Sequence, residues 1–238
     1  MTWQRALRPG CIFMVLIFGA AGIMMTGCER KSETSAYRDK THTEEALFRG
    51  TIVAMGDILT EGYGVPEEAA YPALLEEKLR AEGFSFRVVN AGISGETSSG
   101  TLSRTEWMLS LKPDIVILET GANDGLRGID PEVTRKNIAE IIRILRKNDV
   151  VVVLAGMRMV RNLGREYTDA FAAIYPDLAE AFDLIFIPFF LEGVAGNPDL
   201  NLEDGIHPDA EGYRMVVNHI RSRVIEAIRV WESRSSAP

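Results

Sequence analysis

Five short apolar runs, at residues 51–55, 86–90, 114–119, 150–155 and 184–188, are separated by stretches whose apolar residues recur at helical spacing. Each run is rich in Val, Ile or Phe and shows little polar alternation, the pattern of a strand covered on both faces. Among the intervening stretches, Ile138, Ile141, Ile142 and Leu145 share one helix face, and Asp130-Pro131 supplies a cap with Pro at the first helical position. A last helix from about Asp209 carries Tyr213, Val216, Val217, Ile220, Val224 and Ile228 along one stripe. This alternation predicts an α/β domain with a parallel sheet of about five strands and helices on both faces. The chain's 238 residues amount to one such domain. In open parallel sheets, sites gather at the carboxyl ends of the strands, so the chemistry is expected in the loops that follow the apolar runs.

The N-terminal region reads differently. Arg5 and Arg8 precede an apolar run from Cys11 to Met25. That run falls short of the ~20 residues of a spanning helix and has the layout of a secretory signal. Met25-Thr26-Gly27-Cys28 resembles a bacterial lipobox, which prefers Leu where Met25 stands. The resemblance implies cleavage before Cys28 and a lipid on its thiol, with an uncleaved anchor or an ordinary secretory signal as the alternatives. Residues 1–27 are then a signal peptide, 28–48 a polar tether, 49–232 the folded domain and 233–238 a tail. The expected location is the bacterial cell envelope, lipid-anchored to a membrane on its periplasmic or other extracytoplasmic face. Both cysteines, Cys11 and Cys28, precede the domain, which therefore holds no disulfide. The formal net charge of −8, with no basic stripe, speaks against a nucleic-acid partner.

Four loop segments carry polar groups suited to acyl chemistry. Gly56-Asp57-Ile58-Leu59 ends the first apolar run, Asn90-Ala91-Gly92-Ile93-Ser94-Gly95 the second, and Gly121-Ala122-Asn123-Asp124 follows the third. Asp204-Gly205-Ile206-His207-Pro208 lies just before the last helix. A histidine works as a general base when a partner fixes its ring and tautomer, and Asp204 is placed to do so for His207. A backbone N–H at a glycine such as Gly92, and the amide of Asn123, are donor types that stabilise an oxyanion. Either residue alone reads equally well as a turn. Together the four segments resemble the SGNH, or GDSL, hydrolase family. Further segments extend the similarity over about residues 50–230 and toward its lysophospholipase, thioesterase and arylesterase branch: Y-P-A-L-L-E-E-K-L (71–79), K-P-D-I-V-I-L-E (112–119), G-A-N-D-G-L-R-G (121–128), L-A-G-M-R (154–158) and P-F-F-L-E-G-V-A-G (188–196). The resemblance implies a flavodoxin-like three-layer α/β/α sandwich, no cofactor, and small acyl esters, thioesters or lysophospholipids as ligands. It assigns catalytic roles to Asp204 and His207, and the oxyanion hole to Gly92, Asn123 and the N–H of the nucleophile position.

That position is Ile58, where the family has serine. Ile58 brings no nucleophile and no proton for His207, while its backbone N–H survives. Losing the serine of a triad hydrolase costs on the order of 10⁶ in kcat. Thr60, Ser94 and Asp57 are the nearby alternatives, and a rescue by any of them requires hydrogen-bond reach to His207. Ser to Ile needs only a single base change, and none of the other site residues has been lost with it. Ile93, Leu126, Met159, Phe190, Leu191 and Ile206 are expected to line an acyl pocket. His42, His207 and His219 form no metal-ligand cluster, and the G-I-S-G loop lacks the Lys of a phosphate-binding loop, so neither metal nor nucleotide is expected. Two functions follow: an ester hydrolase disabled at Ile58, or a non-catalytic envelope lipoprotein that binds acyl chains or lysolipid.

Overall fold

The computed structural model describes residues 48–159 and 163–235. The expectations for the signal peptide, Cys28 and nearly all of the tether fall outside these residues. Five strands, β1 (Gly50–Gly56), β2 (Phe86–Gly92), β3 (Ile115–Glu119), β4 (Val151–Ala155) and β5 (Ile185–Ile187), pair in parallel in the order β2-β1-β3-β4-β5. Helices α1 (Ile58–Glu61), α2 (Tyr71–Ala81), α3 (Ser98–Met108), α4 (Ala122–Leu126), α5 (Pro131–Lys147), α6 (Arg165–Ala181) and α7 (Ala210–Ser235) connect or follow them. α2 and α7 pack together on one face, while α3, α5 and α6 form a continuous layer on the other. The chain is thus the three-layer α/β/α sandwich that the apolar runs imply.

Burial explains why those runs lack alternation. Every residue of β3 and β4 is buried, as are Ile52 to Gly56 of β1. A strand between two helical layers has no solvent side, and burying each aliphatic side chain contributes about 1.5–3 kcal/mol. α5 buries Ile138, Ile141, Ile142 and Leu145, and Asp130 caps it by accepting the Glu132 N–H. α7 buries its expected stripe but runs on to Ser235, into the segment read as a tail. No described helix is long and apolar enough to cross a membrane.

The strand order reverses at β1, which is flanked by β2 and β3. The crevice at their carboxyl ends is the place where this topology forms sites. The loops following β1, β2 and β3 carry three of the four chemical segments to that edge.

Candidate active site

The corner after β1 is built on close contacts. A side chain at Gly56 would meet the Thr60 hydroxyl and the carboxylate of Glu119. Asp57 caps α1, its Oδ1 accepting the Leu59 N–H at 3.0 Å. Gly62 then ends this single turn at φ +91°, a conformation that favours glycine. The result presents Ile58 as the first residue of α1, half-buried, with no acceptor for its backbone N–H among the described residues.

Asn123 lies on α4, beyond β3. Its Nδ2 donates to Asp57 Oδ2 at 3.1 Å, which commits one of two amide protons and ties the G-A-N-D loop to the β1 corner. Burial pushes the Asp57 carboxyl up, against the hydrogen bonds from Leu59, Glu119 and Asn123 and the charge of His207. Asp124, next in sequence, faces inward and accepts from the Ser98 N–H, the Ser98 hydroxyl and the Thr134 hydroxyl. Its part is to hold α3 against α5.

The Asp204–His207 pair forms as expected. Asp204 Oδ2 stands 2.7 Å from His207 Nδ1, and Oδ1 accepts the N–H groups of Ile206 (2.8 Å) and His207 (3.0 Å). The bond to the His207 ring, followed by the two backbone donors, brings the Asp204 carboxyl down to about 2. The segment is pinned by the Leu202 N–H on the His207 carbonyl at 2.8 Å and by an antiparallel bridge between Asn201 and Pro208. Tyr63, which the sequence did not single out, lies against the imidazole with ring centroids 5.1 Å apart.

Gly92 has a different role from the one expected. Its N–H already donates to Asn90 Oδ1 at 3.0 Å. A side chain there would run into the backbone of Thr60 and Glu61, so this glycine admits α1 onto the tip of β2. Of the two glycines in this loop, Gly95, at φ +72°, is the one whose N–H has no acceptor among the described residues. The Gly95 carbonyl is held by Arg127 Nη2 at 2.8 Å, and the turn is closed by the Glu96 N–H on the Ile93 carbonyl at 3.1 Å. Arg104 anchors the loop further, pairing with Glu96 at 2.7 Å and donating to the carbonyls of Ala91 (2.9 Å) and Gly56 (3.2 Å).

The expected pocket divides in two. Ile93, Leu126 and Ile206 stand 47%, 55% and 54% exposed on three different segments of the site edge, Leu126 at the end of α4 and the other two on loops. Met159 is half-buried and packs over Gly125. Phe190 and Leu191, by contrast, are core residues, Phe190 lying edge-on to Tyr71 with centroids 5.1 Å apart. They cannot line an open mouth, because the chain turns inward after Phe189. A shallow hollow of about 540 Å³ beside the site is lined instead by Tyr63, Val65, Asn90, Gly92 and Ser94, among others. Of the alternative nucleophiles, Thr60 is buried and its hydroxyl bonds to Glu119 (2.9 Å) and Tyr71 (3.3 Å). Ser94 is exposed on its loop. No described group of three or more His, Cys, Asp or Glu side chains could hold a metal ion, and the His219 ring meets the Phe189 carbonyl at 3.0 Å.

A five-stranded parallel sandwich with a paired Asp–His beside its switch point defines an α/β hydrolase scaffold of the SGNH type. A sequence profile of the GDSL-like Lipase/Acylhydrolase family matches residues 54–215, and the chain belongs to that family. It is 36% identical over 176 residues to an arylesterase of Vibrio mimicus, covering 74% of this chain and 88% of the relative. It is 38% identical over 177 residues to thioesterase 1/protease 1/lysophospholipase L1 of Escherichia coli K12, covering 74% and 84%. Among solved structures, TesA superposes with a TM-score of 0.71 at 35% identity over 74% of this chain and 99% of that one. AlinE4, an SGNH-hydrolase family esterase, gives 0.64 at 41% identity over 75% and 96%.

Proposed function

We propose that this chain keeps the acid–base and oxyanion apparatus of an arylesterase, thioesterase or lysophospholipase but lacks the nucleophile, with Ile58 in its place, so that it turns over esters very slowly or not at all. The observation that carries this reading is the Asp204–His207 pair at 2.7 Å, whose ring lies against Tyr63 just beyond α1, a helix whose first residue bears no hydroxyl. A serine at that corner would give its proton to His207 Nε2 as its oxygen attacked the acyl carbon. Asp204 would steady the resulting imidazolium. The oxyanion would meet the N–H of residue 58, the N–H of Gly95 and the second amide proton of Asn123. Gly95 replaces Gly92 in this scheme because, of the two glycines, it is the one with an unengaged N–H.

The half-exposed Ile93, Leu126 and Ile206 favour a second reading, in which the site binds acyl chains or lysolipid without cleaving them. Chain burial would drive such binding at roughly 0.8 kcal/mol per CH₂. In either case the protein is proposed to sit in the cell envelope on a lipid at Cys28. Cys28→Ala should release it from membranes or leave an unprocessed precursor, and unchanged size and fractionation of that variant would count against the anchor. For the site itself, Ile58→Ser should create hydrolysis of short acyl esters or thioesters. A folded Ile58→Ser protein that stays inert yet shows a thermal shift with medium-chain fatty acids would favour the binding reading.

A further inference from the structure

Glu119 ends β3 with a carboxyl group that is fully buried. Its Oε2 accepts the Asp57 N–H at 3.2 Å and the Thr60 hydroxyl at 2.9 Å, so it grips both ends of the corner that carries Ile58. Its Oε1 is buried and receives no donor among the described residues. A bare anionic oxygen in that setting is costly, whereas a proton turns the carboxyl into a donor. The acceptor such a proton would meet is the Asp57 side chain, which shares this corner: the Asp57 N–H is on Oε2, and the Asp57 charge acts on Glu119. Asp57 in turn accepts from the Leu59 N–H on Oδ1 and from the Asn123 amide on Oδ2.

We propose that Glu119 is a positioning residue of this site: its protonated carboxyl orients the Asp57 carboxylate, which orients the Asn123 amide toward the reacting carbonyl, the relay holding one proton and one negative charge. The proposal rests on the esterase-scaffold reading above. The groups around the pair agree with this placement of the proton. Burial raises the Asp57 carboxyl as well, but there the hydrogen bonds of Leu59 and Asn123 and the charge of His207 oppose it. Glu119 is held well above the ordinary glutamate range, by burial first and by the charge of Asp57 second. The other facing groups are neutral hydroxyls, Thr60 from α1 and the tyrosines Tyr71 from α2, Tyr175 from α6 and Tyr213 from α7, whose phenols are pushed up by burial first and by the same two acids after it. Two ionised carboxylates meeting here would repel each other with little water to screen them.

The test has two readouts on the natural chain and one on Ile58→Ser. Glu119→Gln keeps an acceptor for Asp57 and Thr60 and supplies a donor, while Glu119→Leu keeps the bulk and removes both. Infrared difference spectra of the natural chain against Glu119→Gln should show a protonated-carboxyl band at pH 7, far above the ordinary glutamate pKa of ~4.3. Absence of that band overturns the proposal. The Asn123 side-chain amide resonances should be unmoved in Glu119→Gln and displaced in Glu119→Leu; no displacement in the Leu variant also overturns it. In Ile58→Ser, adding Glu119→Leu should lower kcat roughly 10- to 100-fold at nearly unchanged KM, and Glu119→Gln should restore kcat to within about threefold. A Gln variant no better than the Leu variant contradicts the relay. If Ile58→Ser is itself inert, the hydrolase reading fails while the infrared and resonance results still decide the state of Glu119. If the Leu variant does not fold, the infrared band and the Gln variant decide.

Discussion

The two halves of this site are held in opposite ways. The Asp57–Ile58 corner is fixed from beneath, by a glycine that leaves room for a carboxylate, by two buried acids and by backbone N–H groups. The Asp204–His207 loop is fixed from within itself, through one side-chain pair and two N–H groups on the same aspartate. The corner can therefore accept a change at residue 58 at modest cost, because its hydrogen bonds run through Asp57, Leu59, Thr60 and Glu119, and the Ile58 side chain adds only packing against the edge of the core. The loop has no such freedom, since Asp204 is at once the partner of His207 and the staple of its own turn. On the proposed reading, in which residue 58 is the nucleophile position, the scaffold would keep the rest of its geometry in order without the attacking atom.

Restoring the corner should have the largest effect. Ile58→Ser should raise ester or thioester turnover by roughly 10⁵- to 10⁶-fold over the natural chain, the reverse of a triad nucleophile loss. The change removes bulk from a half-buried side chain, so overpacking does not oppose it. Breaking the loop in that background comes next. His207→Ala should return turnover close to the natural chain's level, and Asp204→Asn should cost about 10⁴-fold in kcat, as when a triad histidine loses its orienting acid. Steady-state kinetics on a chromogenic short-chain ester would read all three. A loss in Asp204→Asn of only a few-fold would mean that the loop orients His207 without its aspartate.

Smaller effects separate the two kinds of support. Gly92→Ala should destabilise the fold by about 1–3 kcal/mol in denaturant unfolding, because its methyl group meets the backbone of α1. Gly95→Ala should leave stability far less changed, since the nearest atom to a methyl group there is Arg127 Nη2 at 3.7 Å, although its φ of +72° carries some strain. Equal losses in the two variants would erase the distinction drawn between the glycines. The smallest effect is one of pH. Asp204 is depressed in the folded state to about 2, so its contribution to stability is present above the unfolded carboxylate pKa and lost as pH falls through about 2. Acid unfolding of Asp204→Asn should therefore differ from the natural chain near neutrality and converge with it at the acid end. The difference should be small, because the pair is open to solvent.

The sandwich was legible because burial on both faces writes a continuous apolar run, and because α5 and α7 are long enough to show a helical period. α1 and α4 were not, since four or five residues carry no period. The Asp204–His207 pair was legible because both partners sit in one short loop, where spacing nearly determines geometry. The oxyanion loop was harder. N-A-G-I-S-G offers two glycines, and only the Asn90 side chain, folding back onto Gly92, decides which N–H is left open. In P-F-F-L, four apolar residues in a row give no sign of where the chain turns inward, so the sequence does not separate a place at the mouth from the core positions that Phe190 and Leu191 take. Glu119 was hidden for a related reason. An acid at the end of an apolar run reads as a strand reaching water, and only the fold shows that β3 ends beneath α1.

The most direct test compares initial rates of short-chain ester hydrolysis for the natural chain, Ile58→Ser and Ile58→Ser/His207→Ala under one set of conditions. The expected result is negligible turnover in the first, robust turnover in the second and a return to the first level in the third. Fast hydrolysis by the natural chain that His207→Ala abolishes would contradict the account, because some residue other than 58, with Ser94 the first to examine, would then be the nucleophile.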